Sequence, residues 1–129
     1  MKNLIYAFAS LLFMVSCSQG TAQENMTVSE LNKVEFNNDD DKVVLDVRTP
    51  EEYAEGNIEG SQNIDFLKTD YFTSSIEGLD KNKTYYVICR SGGRSARASD
   101  QMRAAGFKNV VNVTGGMLAW QAANLPVKK

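Results

Sequence analysis

The stretch from Thr84 to Ser99, TYYVICRSGGRSARAS, sets one cysteine at the end of an apolar run and follows it with two adjacent glycines and three arginines. A thiol so placed is a candidate nucleophile. At the carboxyl end of a parallel strand, just before a helix N-terminus, backbone N–H groups are unpaired and point toward the loop. Gly92 and Gly93 let the main chain curl into an anion-holding nest without side-chain obstruction. Cys89 inside that curl would be ringed by N–H donors and by the positive end of the helix dipole. Both favour thiolate over thiol, so its pKa is expected below the ordinary thiol range. No histidine is needed to activate it, and the chain contains none.

Three chemistries use a cysteine held in this way: sulfur transfer, phosphate-ester hydrolysis and arsenate reduction. Spacing separates them. Phosphatase loops place their arginine one position further along than CRSGGR places Arg94, and enclose a tetrahedral phosphate. The tighter ring suits a smaller guest, such as the terminal sulfur of a persulfide. The absence of histidine also removes histidine-ligated metal sites, and two cysteines cannot close a zinc tetrahedron. Neither a metal nor any other cofactor is expected.

Charge supports an anionic visitor. Net charge is only -2, but residues 1–80 carry fifteen acidic and five basic side chains, whereas residues 81–129 carry nine basic and one acidic. Four of the five arginines, Arg90, Arg94, Arg97 and Arg103, follow Cys89 directly, and their local excess acts within a Debye length of roughly 8 to 10 Å. Of these, Arg94 and Arg90 are the candidates for the site, and Arg97 is read as a surface residue. No lysine or arginine run interleaves with aromatics, so a nucleic-acid groove is not expected.

The elements that must position this loop are legible around it. At 129 residues, 43% hydrophobic and 23% charged, the chain has the make-up of one globular domain. TVSE at Thr27–Glu30 has capping-box spacing and predicts a helix through about Phe36. KVVLDV is a buried strand. Thr49, Pro50 and Glu52 form a second helix start, and PEEYAE runs to Gly56. SQNIDF offers a short strand around Ile64, and Phe72, Ile76 and Leu79 fall at helical spacing. TYYVIC is the strand before the loop. A helix follows over Ser95–Ala105, with Ala98, Met102 and Ala105 on one face and Gly106 at its end. NVVNV is the next strand and GGMLAWQAA the last helix, with Gly115 and Gly116 read as a tight turn and Trp120 as core. Asp46 and Arg48 are read as an ion pair or cap, and Glu51 and Glu52 as a helix start and not an acid/base dyad. Strands alternating with helices give an α/β domain with a parallel sheet.

DVRTPEEYAEGNIEGSQNI, CRSGGRS and VTGGMLAWQAANLPV, in that order and at these separations, resemble a single-domain rhodanese, a thiosulfate-type sulfurtransferase, from about Thr27 to Val127. The resemblance implies a rhodanese-like α/β domain with a five-stranded parallel sheet and helices on both faces. It implies Cys89 as the catalytic residue that accepts a sulfane sulfur, and Arg90, Ser91, Gly92, Gly93, Arg94 and Ser95 as the substrate-binding cradle. The partners it implies are a small thiosulfate-like anion as sulfur donor and a thiol as acceptor. The chain departs from the family at Asn57, where histidine is usual. An arsenate reductase or phosphatase on the same fold, and a non-catalytic persulfide-delivery or binding module, are the alternatives.

The N-terminus, MKNLIYAFASLLFMVSCSQG, carries a lysine at position 2, an apolar run from Leu4 to Val15 and small residues around Cys17, as a secretory signal over residues 1–16 would. MVSC resembles the lipobox of bacterial lipoproteins, with Met14 in place of the usual leucine. The expected mature protein is exported to the periplasm or cell envelope and anchored to a bacterial membrane by lipidation of Cys17. Residues 17–26 would serve as the tether, the nine from Ser18 to Met26 spanning about 16 Å, and residues 27–129 form the domain. Lipidation of Cys17 would leave Cys89 without an internal disulfide partner. A monomer is expected.

Overall fold

The computed structural model describes residues 24–37 and 41–129. The expected signal segment, Cys17 and most of the tether lie outside the described residues, as do residues 38–40 in the acidic stretch NNDDDK. The elements in chain order are β1 (Asn25–Met26), α1 (Val28–Asn32), β2 (Lys42–Asp46), α2 (Pro50–Glu55), β3 (Gln62–Asn63), α3 (Thr69–Glu77), β4 (Thr84–Ile88), α4 (Gly93–Ala104), β5 (Asn109–Val113) and α5 (Gly116–Ala122). The five strands form one sheet in the order β1-β5-β4-β2-β3, and every pairing is parallel.

Alternation along the central strands divides the core in two. Leu45, Val47, Tyr85, Val87, Cys89 and Val110 point to one face, where they meet Phe72 and Ile76 of α3 and Ala98 and Met102 of α4. Val44, Tyr86, Ile88, Val111 and Val113 point to the other, against Val28 and Leu31 of α1 and Met117 and Trp120 of α5. A period of two in side-chain direction demands such a split when both faces are covered.

Both expected threonine N-caps are present. Thr27 accepts from the N–H of Glu30, and Thr49 from the N–H of Glu52, with Pro50 in the first turn of α2. Three boundaries differ from the expectation. Helix α1 stops at Asn32, and Phe36 instead turns its ring edge-on to Tyr86 at 5.9 Å. Helix α4 begins two residues early, at Gly93, and Ala105 is its exposed C-cap and not part of the buried face. Strand β3 is only Gln62–Asn63, with Ile64 buried just beyond it. Asn25–Met26, placed by the sequence reading at the end of the tether, forms an edge strand against Asn112–Val113.

The chain leaves the sheet in opposite directions at two adjacent strands. After β4 it enters α4 on the first face; after β5 it enters α5 on the second. The connections part at the carboxyl ends of β4 and β5 and leave a crevice there, the usual place for a site in an open α/β sheet.

Candidate active site

Strand β4 is buried from Tyr85 onward and delivers Cys89, 1% exposed, to that crevice as a free thiol. The first turn of α5 fixes the loop from behind. The N–H of Met117 donates to the Cys89 carbonyl at 2.8 Å, and that of Leu118 to the Arg90 carbonyl at 3.0 Å. With those carbonyls held toward α5, the N–H groups of the following loop are free to turn the other way. The contact requires Gly116, at φ 57, because a β-carbon there would meet backbone atoms of both Cys89 and Arg90. Gly116 therefore does more than make a tight turn.

The loop N–H groups close on sulfur. Gly92 N–H donates to Cys89 Sγ at 3.1 Å, and Ser95 Oγ lies 3.3 Å from the same atom. Gly92, at φ 108, has the left-handed backbone that the curl needs. Gly93 is the first residue of α4, and a β-carbon there would meet nothing, so the steric argument for glycine holds at Gly92 alone. Ser95 is fully buried, and its hydroxyl also donates to the Gly92 carbonyl at 3.1 Å. Its single proton serves that carbonyl while the sulfur is protonated and can swing to the sulfur once it ionises. Burial pushes the Cys89 thiol up. The Ser95 hydroxyl and the N–H groups of Ser95, Gly92 and Ser91 more than offset it, leaving the pKa below the ordinary thiol value. Ser91 itself is exposed and contributes its main chain.

The arginines divide. Arg94 makes a two-pronged ion pair with Glu52, Nη1 to Oε1 at 2.9 Å and Nη2 to Oε2 at 2.8 Å. Its hydrogen bonds hold the Glu52 carboxyl below the usual carboxylate range, and Glu52 in turn holds Arg94 more firmly protonated. Arg90 is exposed, and among the described residues its guanidinium has neither hydrogen bond nor ion pair. Arg97 lies outward with its guanidinium 5.7 Å from the Phe66 ring centre.

Asp46 and Arg48 form the expected ion pair, almost entirely buried. Arg48 Nη2 reaches Asp46 Oδ2 at 2.7 Å and Nε reaches Oδ1 at 2.9 Å, while the remaining donors bind the carbonyls of Glu52 and Gly56. Arg48 thus fastens α2 to the end of β2 and with it sets the position of Glu52. Asn57 also works structurally: its amide donates to the Tyr53 carbonyl, and its backbone bridges to Lys128. Beside the loop, between α2 and α5, lies a cleft of about 180 Å³ lined by Arg48, Glu52, Arg90, Met117, Leu118 and Gln121 among others.

Sequence reasoning grouped Cys89 with the loop that follows it; of that loop, the main chain of Ser91 and Gly92 and the main chain and hydroxyl of Ser95 meet the sulfur, while Gly93 opens α4, the Arg94 side chain turns to Glu52 and that of Arg90 lines the neighbouring cleft. It missed Glu52 as the partner of Arg94. The only available signal was a capping-box glutamate whose side chain is not needed for the cap contact made by its N–H.

The Rhodanese-like domain model matches residues 28–123. A Bacillus subtilis (strain 168) protein named "Putative sulfurtransferase YtwF" is 39% identical over 104 residues, covering 81% of this chain and 95% of that protein. Thiosulfate sulfurtransferase 16, chloroplastic, of Arabidopsis thaliana is 33% identical over 93 residues, 65% of this chain and 78% of its own. Among solved structures, a rhodanese-related protein from Thermoplasma volcanium superposes with a TM-score of 0.70 at 32% identity, covering 81% of this chain and 97% of that one.

Proposed function

The chain belongs to the rhodanese-like domain family, and from that premise we propose that it is a sulfurtransferase that carries a sulfane sulfur as a persulfide on Cys89. The observation behind this reading is the convergence of the Ser91, Gly92 and Ser95 N–H groups and the Ser95 hydroxyl on a buried sulfur whose pKa they lower. The thiolate attacks the outer sulfur of an anionic donor such as thiosulfate. The Cys89 Sγ–S bond forms as the donor S–S bond breaks, and sulfite departs with the electron pair. An acceptor thiolate then attacks the outer sulfur of the persulfide and returns Cys89 to thiolate. Each half-reaction passes negative charge through one fixed set of donors, which need no reorganisation as it develops. Two half-reactions that share one covalent intermediate give ping-pong kinetics.

Intact mass after treatment with thiosulfate tests the reading. The wild type should gain one sulfur atom and Cys89→Ser none; equal gain in both would end it. Turnover of an aryl phosphate without sulfur loading would favour the phosphatase alternative. The proposal extends to export and lipid anchoring at Cys17, for which the test is incorporation of labelled fatty acid in a bacterial host and its loss in Cys17→Ser.

A further inference from the structure

In the proposed cycle an acceptor thiol must lose its proton as its sulfur attacks, and an aliphatic thiol, with a pKa of about 8.5, is largely protonated near neutrality. The chain has no histidine to take that proton. Among the described residues, three carboxylates lie buried or half-buried at the end of the sheet where Cys89 opens. Asp46 engages Arg48 with both oxygens, and Glu52 engages Arg94 with both of its own. Asp65 differs. It is only 5% exposed; its Oδ1 accepts from the Leu67 N–H at 2.9 Å, and its Oδ2 has no hydrogen bond among the described residues. Among those residues Asn112 Oδ1 is the only side-chain polar atom both unpaired and sealed from solvent, so Asp65 Oδ2 keeps an opening to water. Glu51, Glu55 and Asp70, the other carboxylates at this end, stand exposed.

The backbone fixes Asp65 beside the reactive strand. The Ile64 N–H donates to the Asp46 carbonyl at 3.0 Å and the Phe66 N–H to that of Val47 at 3.1 Å. The Val47 N–H in turn donates to the Ile88 carbonyl at 2.9 Å, so residues 64–66 are stitched through the end of β2 to the residue before Cys89. Arg94, held first by Glu52, also feels the charges of Cys89 and Asp65. Sulfur, guanidinium and carboxylate thus share one neighbourhood. The turn at Leu67 uses one oxygen of that carboxylate, and the fold leaves the other unused.

We propose that Asp65 is a catalytic base for the second half-reaction: its free oxygen takes the proton of an acceptor thiol, R–S–H, as that thiol's sulfur attacks the outer sulfur of the Cys89 persulfide. The new S–S bond forms, the bond between Cys89 Sγ and the outer sulfur breaks, and Cys89 leaves with the electron pair as thiolate. The persulfide's own proton stays on the transferred sulfur to give R–S–S–H, and Asp65 releases the proton it took to water. The inference rests on the sulfurtransferase reading of Cys89 and adds a residue to that same site.

The test loads the whole protein with thiosulfate and follows, by mass, the loss of the added sulfur in a single turnover at neutral pH. Mercaptoethanol, an uncharged thiol, serves as one acceptor, and sulfite, whose dianion attacks without surrendering a proton, as the other. Asp65→Asn keeps an oxygen for the Leu67 N–H but removes the base. It should slow discharge by mercaptoethanol about a hundredfold, and discharge by sulfite not at all. Equal slowing with both acceptors, or no slowing with either, would overturn the proposal while leaving Cys89 as the sulfur carrier. Wild type gives a second readout that does not depend on the variant's folding: a solvent deuterium isotope effect on discharge by mercaptoethanol and none with sulfite, whereas the same effect with both would overturn the proposal. If wild type took no sulfur from thiosulfate, the sulfurtransferase reading would fall, and this inference with it.

Discussion

Gly116 lies against the reactive strand end so closely that a β-carbon added to it would stand 2.5 Å from the carbonyl oxygens of both Cys89 and Arg90. The nucleophile's main chain is therefore held from behind by a residue twenty-seven positions later in the chain. Gly116→Ala meets two penalties, the left-handed backbone at φ 57, which costs about 1–2 kcal/mol for an L-residue, and the collision itself. The variant should unfold at lower urea concentration, and its folded fraction should alkylate at Cys89 more slowly than wild type near neutral pH.

Among the described residues, Ser95 is the one side chain hydrogen-bonded to the sulfur, at 3.3 Å. Ser95→Ala removes a hydrogen bond that strengthens when Cys89 ionises, so the pH profile of Cys89 alkylation should move upward. The rate near neutrality should fall about fivefold or more, in line with a hydrogen bond to a charged group. An unshifted profile would show that the main-chain donors suffice.

The lowered pKa of Cys89 links ionisation to stability with a definite sign. The folded state holds the thiolate better than the unfolded chain does. This contribution is complete above the ordinary thiol pKa, near 8.5, and is lost as pH falls through the lower folded value. The difference in unfolding free energy between wild type and Cys89→Ser should therefore grow with rising pH across that window, as read from urea midpoints in a pH series.

Asp46 is fully buried and is the anion that compensates Arg48. Asp46→Ala leaves a buried guanidinium without its partner, a change that costs about 3–5 kcal/mol. Urea or thermal unfolding should show that loss. Because Arg48 also fastens the carbonyls of Glu52 and Gly56, the position of α2 should loosen with it, and with α2 the hold on Arg94.

What could be read in advance follows from how local each signal is. The apolar runs KVVLDV, TYYVIC and NVVNV, the two helix caps and the glycine pair after Cys89 act within a few residues, and each produced the element it implies. Strand β1 has two residues and one buried side chain, too short for any period to register; its place comes from pairing with β5, far along the chain. Phe36 kept the spacing of a continuing helix but found Tyr86 instead. At the site, the nest around sulfur is local and was legible. The grip of Glu52 on Arg94 spans forty-two residues, and the wedge of Gly116 under Cys89 twenty-seven. Neither leaves a mark in the neighbouring residues, because both depend on which loops the sheet order brings to the same edge.

Cys89 is almost completely enclosed. A sulfur so sunk presents little area to peroxides or passing disulfides, so the resting state is sheltered from the reactions that ordinarily spoil an ionised thiol. In the proposed cycle the added sulfur sits about 2 Å further out, beyond the rim that protects the first. Cargo would then be what makes the carrier visible to a recipient, and handing it over would restore the shelter.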